Sequence, residues 1–495
     1  MPSIIAFVLV PAVSFLTYSL LRMLYNITLH PLAKFPGPKL AAATRLYESY
    51  YELYLGGQYG DQIPAPHSRY GPIVRISPSE VHILDPTFFD ELFNFNPELD
   101  KQIQVNDNLQ QTPGFELHRQ RRKAFDPYFS RASILRLEAL IASLVDKMCT
   151  RVEELKGQDT PFSMSTMYRC LTTDIISEYC FSQPFDLLDD PQGNEKHMDA
   201  FLGVFKILFL TGQIPCGSWV MSRLELLPNW MVPTDQGMAW VQDWQGGISR
   251  RLRDIKQGKP QETHSSHPHP TVFEQYIQNG NVPAAEKTDD LLLANAVMFV
   301  AAGLETTGFA LSTVTFHVLN EPSIRQTLKA EIAGVWPSDG SLPSLTSLEK
   351  LPYLTAFLKE ALRMSIGMMT RMHRVNYKRP IQYKQWSMPP GTLVAMGQRY
   401  ILYDPAIFPE PKAYRPERWL AGDRSLDKWF VVFARGARGC IGQHLAWAEI
   451  YLALASIIHR FDFDLYDTDR RDVDPKYDYF VPFPATDRGV RVVLK

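Results

Sequence analysis

Phe433-Ala434-Arg435-Gly436-Ala437-Arg438-Gly439-Cys440-Ile441-Gly442 sets a single cysteine in a frame of one aromatic residue, three glycines and two arginines. The continuation Gln443-His444-Leu445-Ala446-Trp447-Ala448-Glu449 is a good helix start, so Cys440 stands ahead of a helix N-terminus, where backbone N–H groups favour a thiolate. Gly436, Gly439 and Gly442 let the backbone turn tightly beneath a flat macrocycle, and Phe433 can shield the sulfur. Arg438 can reach a haem propionate, and the stretch reads as a loop that holds haem iron through a thiolate. Taken alone, Cys440 reads as a small core hydrophobe; the frame around it reverses that reading. A phosphate loop fits poorly, because no strongly apolar strand precedes the glycines and no Lys-Ser/Thr follows them.

The chain has 495 residues and no Gly/Ser-rich linker, internal repeat or abrupt change of composition, which favours one large domain. A hydrophobic fraction of 45% with 12% aromatic residues can fill a sizeable core, and a net charge of −2 argues against a nucleic-acid partner. The five cysteines, at 149, 170, 180, 216 and 440, are odd in number and lack C-x-x-C spacing, as suits a reducing compartment. Apolar spacing of three and four from about 130 to 364 and from 442 to 460 predicts a mainly α fold with a minor β-sheet region. Ile73–Ile76 and Val81–Ile83 read as a hairpin, with further strands at Leu393–Ala395 and Val490–Leu494.

Met1 to Leu21 carry no charge, and Arg22, Lys34, Lys39 and Arg45 follow before the first acid, Glu48. That pattern reads as an N-terminal transmembrane helix with its basic flank, and so the bulk of the chain, in the cytosol. A cleaved signal peptide would want a basic start, a shorter apolar stretch and small residues at a cleavage site. The segment His30-Pro31-Leu32-Ala33-Lys34-Phe35-Pro36-Gly37-Pro38 is stiffened by its prolines. Residues 1–24 are thus expected to be an anchor, 25–45 a rigid neck and 46–495 the catalytic domain. The sequon Asn26-Ile27-Thr28 should go unused at the cytosolic edge. The tract His264-Ser265-Ser266-His267-Pro268-His269-Pro270 has no accompanying acid or cysteine and reads as a solvated loop rather than a metal site.

Three more groups of residues carry chemistry. Met298 to Phe309 is an apolar helix interrupted by Ala302-Gly303-Leu304-Glu305-Thr306-Thr307, where Thr306 can bond its own backbone and open the ladder. Glu360-Ala361-Leu362-Arg363 puts an acid and a base on one helical face, and Arg418 lies in Arg415-Pro416-Glu417-Arg418-Trp419. His118 and Arg122, four apart, offer two donors on one face to haem propionates. Arg119 and Lys123 project from another part of that helix and could form a basic landing surface for an acidic electron donor.

With these residues in place, Phe-x-x-Gly-x-Arg-x-Cys-x-Gly is fully matched and closely resembles the haem-binding signature of the cytochrome P-450 family. The resemblance spans nearly the whole chain and implies that family's fold, haem b with Cys440 as axial ligand to the iron, and a thiolate that favours O–O cleavage. Carried over by position, Thr306 would support dioxygen and Glu305 would help bring protons. Glu360, Arg363 and Arg418 would form the charge network behind the haem, and Arg374, with His118, Arg122 and Arg438, would bind propionates. Many family members have tryptophan where this chain has His118. After Arg363 the family often has proline, whereas this chain runs Met364-Ser365-Ile366-Gly367-Met368-Met369-Thr370 in a segment that usually lines the pocket. Met298, Ala301, Ala302, Met369 and Phe480 are pocket candidates and predict greasy substrates.

No dinucleotide fingerprint or flavin domain is present in the sequence, so electrons must come from outside. The expectation is an endoplasmic-reticulum monooxygenase served by NADPH–cytochrome P-450 reductase, with cytochrome b5 as an accessory donor. It would insert one atom of O2 into a lipophilic small molecule. His30 to Glu48 and Tyr70 to Ile83 look most like fungal microsomal members that tailor terpenoid, polyketide or alkaloid-like secondary metabolites. Two alternatives keep the haem: an isomerase or dehydratase that needs no O2, and a sensor or carrier without turnover. The complete Glu305-Thr306 motif disfavours both.

Overall fold

Apolar faces at helical spacing must be buried against one another, and the computed structural model of the chain shows how. It describes residues 2–94, 96–101, 108–158, 160–191, 194–212, 236–259, 269–420 and 424–495. The helices that position the site are α1 (Pro2–Thr28), α2 (Phe115–Phe125), α3 (Arg131–Glu153), α4 (Met164–Phe181), α5 (Glu195–Gly212), α6 (Gln236–Lys256), α7 (Asp289–Asn320), α8 (Pro352–Ser365) and α9 (Gln443–Arg460). Local chemistry sets their starts. The side chains of Ser130, Ser163 and Thr288 accept from the backbone N–H of Ser133, Thr166 and Leu291 at the heads of α3, α4 and α7. Pro352 opens α8, where its missing N–H costs nothing.

The core is organised around α7 against α4. Gly303 and Gly308 let the two approach: a Cβ at Gly303 would lie 3.2 Å from Ile176 Cβ, and one at Gly308 would lie 3.0 Å from Arg169 Cγ. Polar groups in this contact are paired. Ser165 Oγ donates to Ser312 Oγ at 2.9 Å, Tyr168 and Thr315 hydroxyls lie 2.6 Å apart, and Thr172 Oγ1 donates to Leu304 O at 2.9 Å, as burial requires. Among the described residues α7 is the one helix long and apolar enough to cross a membrane, with a mean hydropathy of 1.5, and half of that stretch is buried inside the protein. It is a core helix.

The principal sheet is small and buried. β1 (Ile73–Ser77) and β2 (Glu80–Ile83) form the expected hairpin, with Ile73 opposite Ile83. β3 (Met372–Arg374) pairs antiparallel with β4 (Leu393–Met396), which runs parallel to β2, giving the order β1-β2-β4-β3. Farther along, β5 (Tyr477–Tyr479) and β6 (Val481–Phe483) make a hairpin whose turn is the single residue Phe480. The expected C-terminal strand is present as Arg491–Leu494, between Phe162–Ser163 and Phe463–Leu465.

Along α1, the large apolar side chains Val10, Val13, Phe15, Leu16, Leu20 and Leu24 are exposed, Phe15 at 69% and Leu20 at 67%. The proline-rich segment after α1 is packed against the rest of the chain. Leu32 and Phe35 are buried, Arg75 N donates to Pro36 O at 2.7 Å, and a Cβ at Gly37 would fall 2.3 Å from Arg75 O. Asn26 of the sequon is buried and donates from Nδ2 to Ala43 O at 2.8 Å, a packing reason for it to stay unmodified. Among the described cysteines all four are free; Cys216 and His264 to Pro268 lie outside the described residues. His269 faces inward, its Nε2 3.6 Å from the buried Glu178 carboxylate.

At the far end of α7, His317 is buried and stacked on Tyr414 with ring centroids 4.0 Å apart, while the Tyr414 hydroxyl donates to Phe357 O on α8 at 2.7 Å. Burial, then Arg470 and Arg363, push its pKa down to about 3, so it folds as the neutral imidazole. The unfolded chain takes up a proton below about 6.5 that the folded chain refuses, so this residue lowers stability as pH falls from about 6.5 toward 3. The cost reaches at most about 5 kcal/mol. Thermal denaturation across that range should show a shallower decline in His317→Gln than in the unaltered protein.

Candidate active site

Backbone hydrogen bonds build the cysteine loop. Cys440 N donates to Phe433 O at 2.8 Å, Gly439 N to Gly436 O at 3.0 Å and Ala434 N to Val431 O at 2.9 Å. Of the three glycines only Gly436 needs a left-handed backbone, with φ 68°, and a Cβ there would lie 2.2 Å from Phe93 O. Gly439 (φ −61°) and Gly442 (φ −86°) have ordinary dihedrals. At Gly442 an added Cβ would meet nothing within 4 Å, so the protein's own packing does not require glycine there. Cys440 follows as an accessible thiol just before α9. Burial of its surroundings raises the thiol, while the Gly442 N–H and Arg122 pull it down. Phe433 packs beside Trp447 of α9, with ring centroids 6.1 Å apart.

Behind the loop lies an ion cluster with an enclosed centre. Glu360 and Arg363 are both 0% exposed. Arg363 Nε and Nη2 donate to Glu360 at 3.0 and 2.8 Å, and its remaining donors reach Leu402 O and Pro411 O at 2.7 and 2.8 Å. Arg418 Nε joins the same carboxylate at 3.1 Å. The sequence had not marked Trp419 as a member, yet its Nε1 donates to Glu360 Oε2 at 2.9 Å. Trp419 packs edge-on against Phe430 at 5.6 Å, and Phe430 packs on Phe433 at 6.3 Å. That chain of rings connects the cluster to the cysteine loop.

A second concentration of charge is almost all of one sign. His118 has its pKa pushed down to about 3 by burial and then by Arg438, Arg122, Lys101 and Arg374. Burial pushes Lys101 down to about 8 and Arg374 down to about 10, with Arg438 adding to both shifts. Arg438 is held by Thr112 O at 3.0 Å and lies 3.6 Å from Asp100, and its buried Nη1 has no partner among the described residues. Arg374 donates to His373 O at 2.9 Å and lies over the Phe93 ring. Crowded cations with an unsatisfied donor are the chemistry of an anion receptor, and two carboxylates would relieve them. Lys101 is the member that sequence reasoning missed; no local motif marks a lone lysine in a loop. Arg122 is turned elsewhere: its Nη1 donates to Gly439 O at 2.5 Å and its Nε to Asp126 at 2.7 Å. It braces the cysteine loop. On the outer face of α2, Arg119 is neutralised by Glu116 at 2.8 Å, leaving Lys123 as the less encumbered cation of the pair named above.

Along α7, Ala302 and Thr306 sit one turn apart with accessible side chains, and Thr306 Oγ1 donates to Ala302 O at 2.7 Å. The expected bond is made, and the helix runs on unbroken from Asp289 to Asn320. Glu305 does not converge with Thr306. It is 2% exposed and held by Arg169 of α4, whose Nε and Nη2 donate at 2.7 and 3.1 Å. Met298 and Ala301 are half-buried on the same helix, and Met369 is buried. Met369 N donates to Phe480 O at 3.0 Å, so the chain brings those two together from segments more than a hundred residues apart.

The family model described as Cytochrome P450 matches residues 67–484. Cytochrome P450 monooxygenase sdnE of Sordaria araneosa is 38% identical over 97% of this chain and 96% of its own length. Cytochrome P450 monooxygenase MO6277 of Ascocoryne sarcoides is 36% identical over 96% of each. Tryptophan 6-hydroxylase fscE of Fusarium equiseti is 35% identical over 94% of this chain and 92% of its own length.

Replacing Glu360 by Ala strands Arg363 and Arg418 without a carboxylate and should cost about 3–5 kcal/mol. Thermal denaturation and the yield of haem-loaded protein should both fall, with Glu360→Gln intermediate.

Proposed function

From the chain's membership of the cytochrome P450 family, whose members are haem-thiolate monooxygenases, we propose that it oxidises a lipophilic small molecule with Cys440 as the axial ligand of its haem. The observation that carries the ligand assignment is the accessible Cys440 thiol at the head of α9, in a loop braced by Arg122 and backed by the buried Glu360 cluster. The buried cations Lys101 and Arg374 and an Arg438 Nη1 without a partner among the described residues support the fit of a dianionic group. Lys101, His118, Arg374 and Arg438 hold its two propionates. When bound, the haem supplies reductive activation of dioxygen.

The residues of this chain then divide the remaining work. Thr306 offers a hydroxyl on the accessible face of α7, where it can hold a water or pass a proton. Glu305 lies on the other side of α7 in the Arg169 ion pair; when that pair opens, its carboxylate can take a proton from water and pass it on toward Thr306. Met298, Ala301, Ala302, Met369 and Phe480 supply apolar walls that exclude water from the reacting face. Electrons come from NADPH–cytochrome P450 reductase, with cytochrome b5 as an accessory donor, at the Cys440 side. The relatives are monooxygenases of fungi, one of them named a tryptophan 6-hydroxylase, which supports a small-molecule substrate of terpenoid, polyketide or alkaloid-like skeleton from secondary metabolism. The exposed apolar side chains of α1 and the cations that follow it support a single-pass anchor in the endoplasmic reticulum, with the catalytic domain in the cytosol.

The carbon monoxide difference spectrum of the reduced protein tests the ligand. A strongly red-shifted Soret band is expected, lost in Cys440→Ala; a variant that keeps it removes Cys440 from the role. Lys101→Met should weaken haem binding by about 1.5–3 kcal/mol, the worth of a hydrogen bond from a charged group, read as faster haem transfer to apomyoglobin. With reductase and NADPH, Thr306→Ala should keep the haem spectrum but release more hydrogen peroxide per NADPH consumed.

A further inference from the structure

Two non-glycine residues with left-handed backbones border the same short strip. Ile366, at the end of α8, has φ 65° and ψ −37°, and Gly367 N donates to Ser365 O at 2.7 Å across it. This is a γ-turn centred on a β-branched residue, a strained choice. Gly367 continues at φ 78°, and a Cβ there would lie 3.2 Å from Val432 O, so the turn presses on the segment leading into the cysteine loop. Met368 N then donates to Ile366 O at 3.1 Å.

At the other end stands Phe480, with φ 79°. Its carbonyl accepts from Met369 N at 3.0 Å and Thr370 N at 3.5 Å. Strain of this kind persists only where neighbouring contacts over-determine it. Here the contacts converge on one buried carboxylate. Asp478 is 2% exposed; its Oδ1 accepts from Phe480 N at 3.1 Å and from the Thr370 hydroxyl. Asp478 is itself fixed from behind, its N–H donating to Gly57 O at 2.8 Å. A Cβ at Gly57 would fall 2.4 Å from Asp478 O, so only glycine allows that approach.

We propose that Asp478 is a specificity-determining positioning residue. Its carboxylate ties the Thr370 hydroxyl to the Phe480 N–H, holds the Met368–Thr370 strip and the Phe480 turn in one strained arrangement, and so sets which substrate shapes reach the haem. The proposal rests on the reading that Met369 and Phe480 line the pocket. Asp478 need not touch substrate; it acts through the two backbones it joins. Releasing it lets Phe480 return to an extended or helical φ, which moves the ring and the carbonyl that anchors Met369.

Full-length haem-loaded protein is titrated with imidazole and with clotrimazole, and binding is followed by the shift of the Soret band. Imidazole needs only the iron, whereas clotrimazole must also fit the walls, so the ratio of the two Kd values reports pocket shape. Asp478→Ala should change that ratio at least fivefold. Asp478→Asn, which keeps an oxygen to accept from both donors, should stay within twofold of the unaltered protein. Thr370→Val removes one donor at constant shape and should move the ratio in the same direction as Asp478→Ala; it decides the matter where Asp478→Ala loads no haem. A ratio unchanged in Asp478→Ala and Thr370→Val, or an Asp478→Asn as altered as Asp478→Ala, overturns the proposal. Absence of the red-shifted carbon monoxide band in the unaltered protein would instead overturn the haem-thiolate reading.

Discussion

Glu360 is the constraint on which the proximal half of the molecule depends. One carboxylate with no exposed surface receives Arg363, Arg418, the Arg415 N–H and Trp419 Nε1. Removing these charges from water is costly, and the arrangement is tolerable only because each polar atom has a partner. The consequence is mechanical. α8, the Arg415–Trp419 turn and, through Trp419 and Phe430, the cysteine loop are held to one geometry. A loop rich in glycine would otherwise have little to fix the direction of its sulfur.

The other half is held by the α4–α7 contact, where two glycines permit close approach and hydroxyl pairs consume the buried polar groups. The same closeness brings Arg169 to Glu305. A residue that sequence order places beside Thr306 therefore points to the opposite side of the helix. Successive helical positions diverge by about 100°, so neighbours in sequence are not neighbours in direction. Glu305 and Thr306 are in this sense split, Thr306 accessible and Glu305 locked in an ion pair.

Local signals made much of this legible. The β1–β2 hairpin and the Glu360–Arg363 pair each depend on residues within about ten positions of one another, and both are present; of the three glycines in the cysteine frame only Gly436 has a left-handed backbone. Other features join segments far apart in the chain. Lys101 belongs to the cationic cluster because a loop, α2, β3 and the cysteine loop converge, and nothing about its neighbours says so. Trp419 belongs to the Glu360 cluster because its indole N–H is aimed at a carboxylate 59 positions earlier. The neck's prolines announced stiffness but not the apolar contacts through which Leu32 and Phe35 fasten it to the body.

The sequence by itself determined that this chain carries a cysteine loop ahead of a helix, a mainly α fold with a small sheet, and an acid and a base one turn apart on one helical face. These follow from short-range rules of dihedral freedom, helix periodicity and charge pairing. Only the tertiary structure decided which way Glu305 faces, that Arg122 braces Gly439, and that Asp478 clamps Phe480 to Thr370. Those outcomes turn on which side chains lie within about 3 Å after packing, and hydrogen bonds fall off too steeply with distance and angle for sequence spacing to specify them.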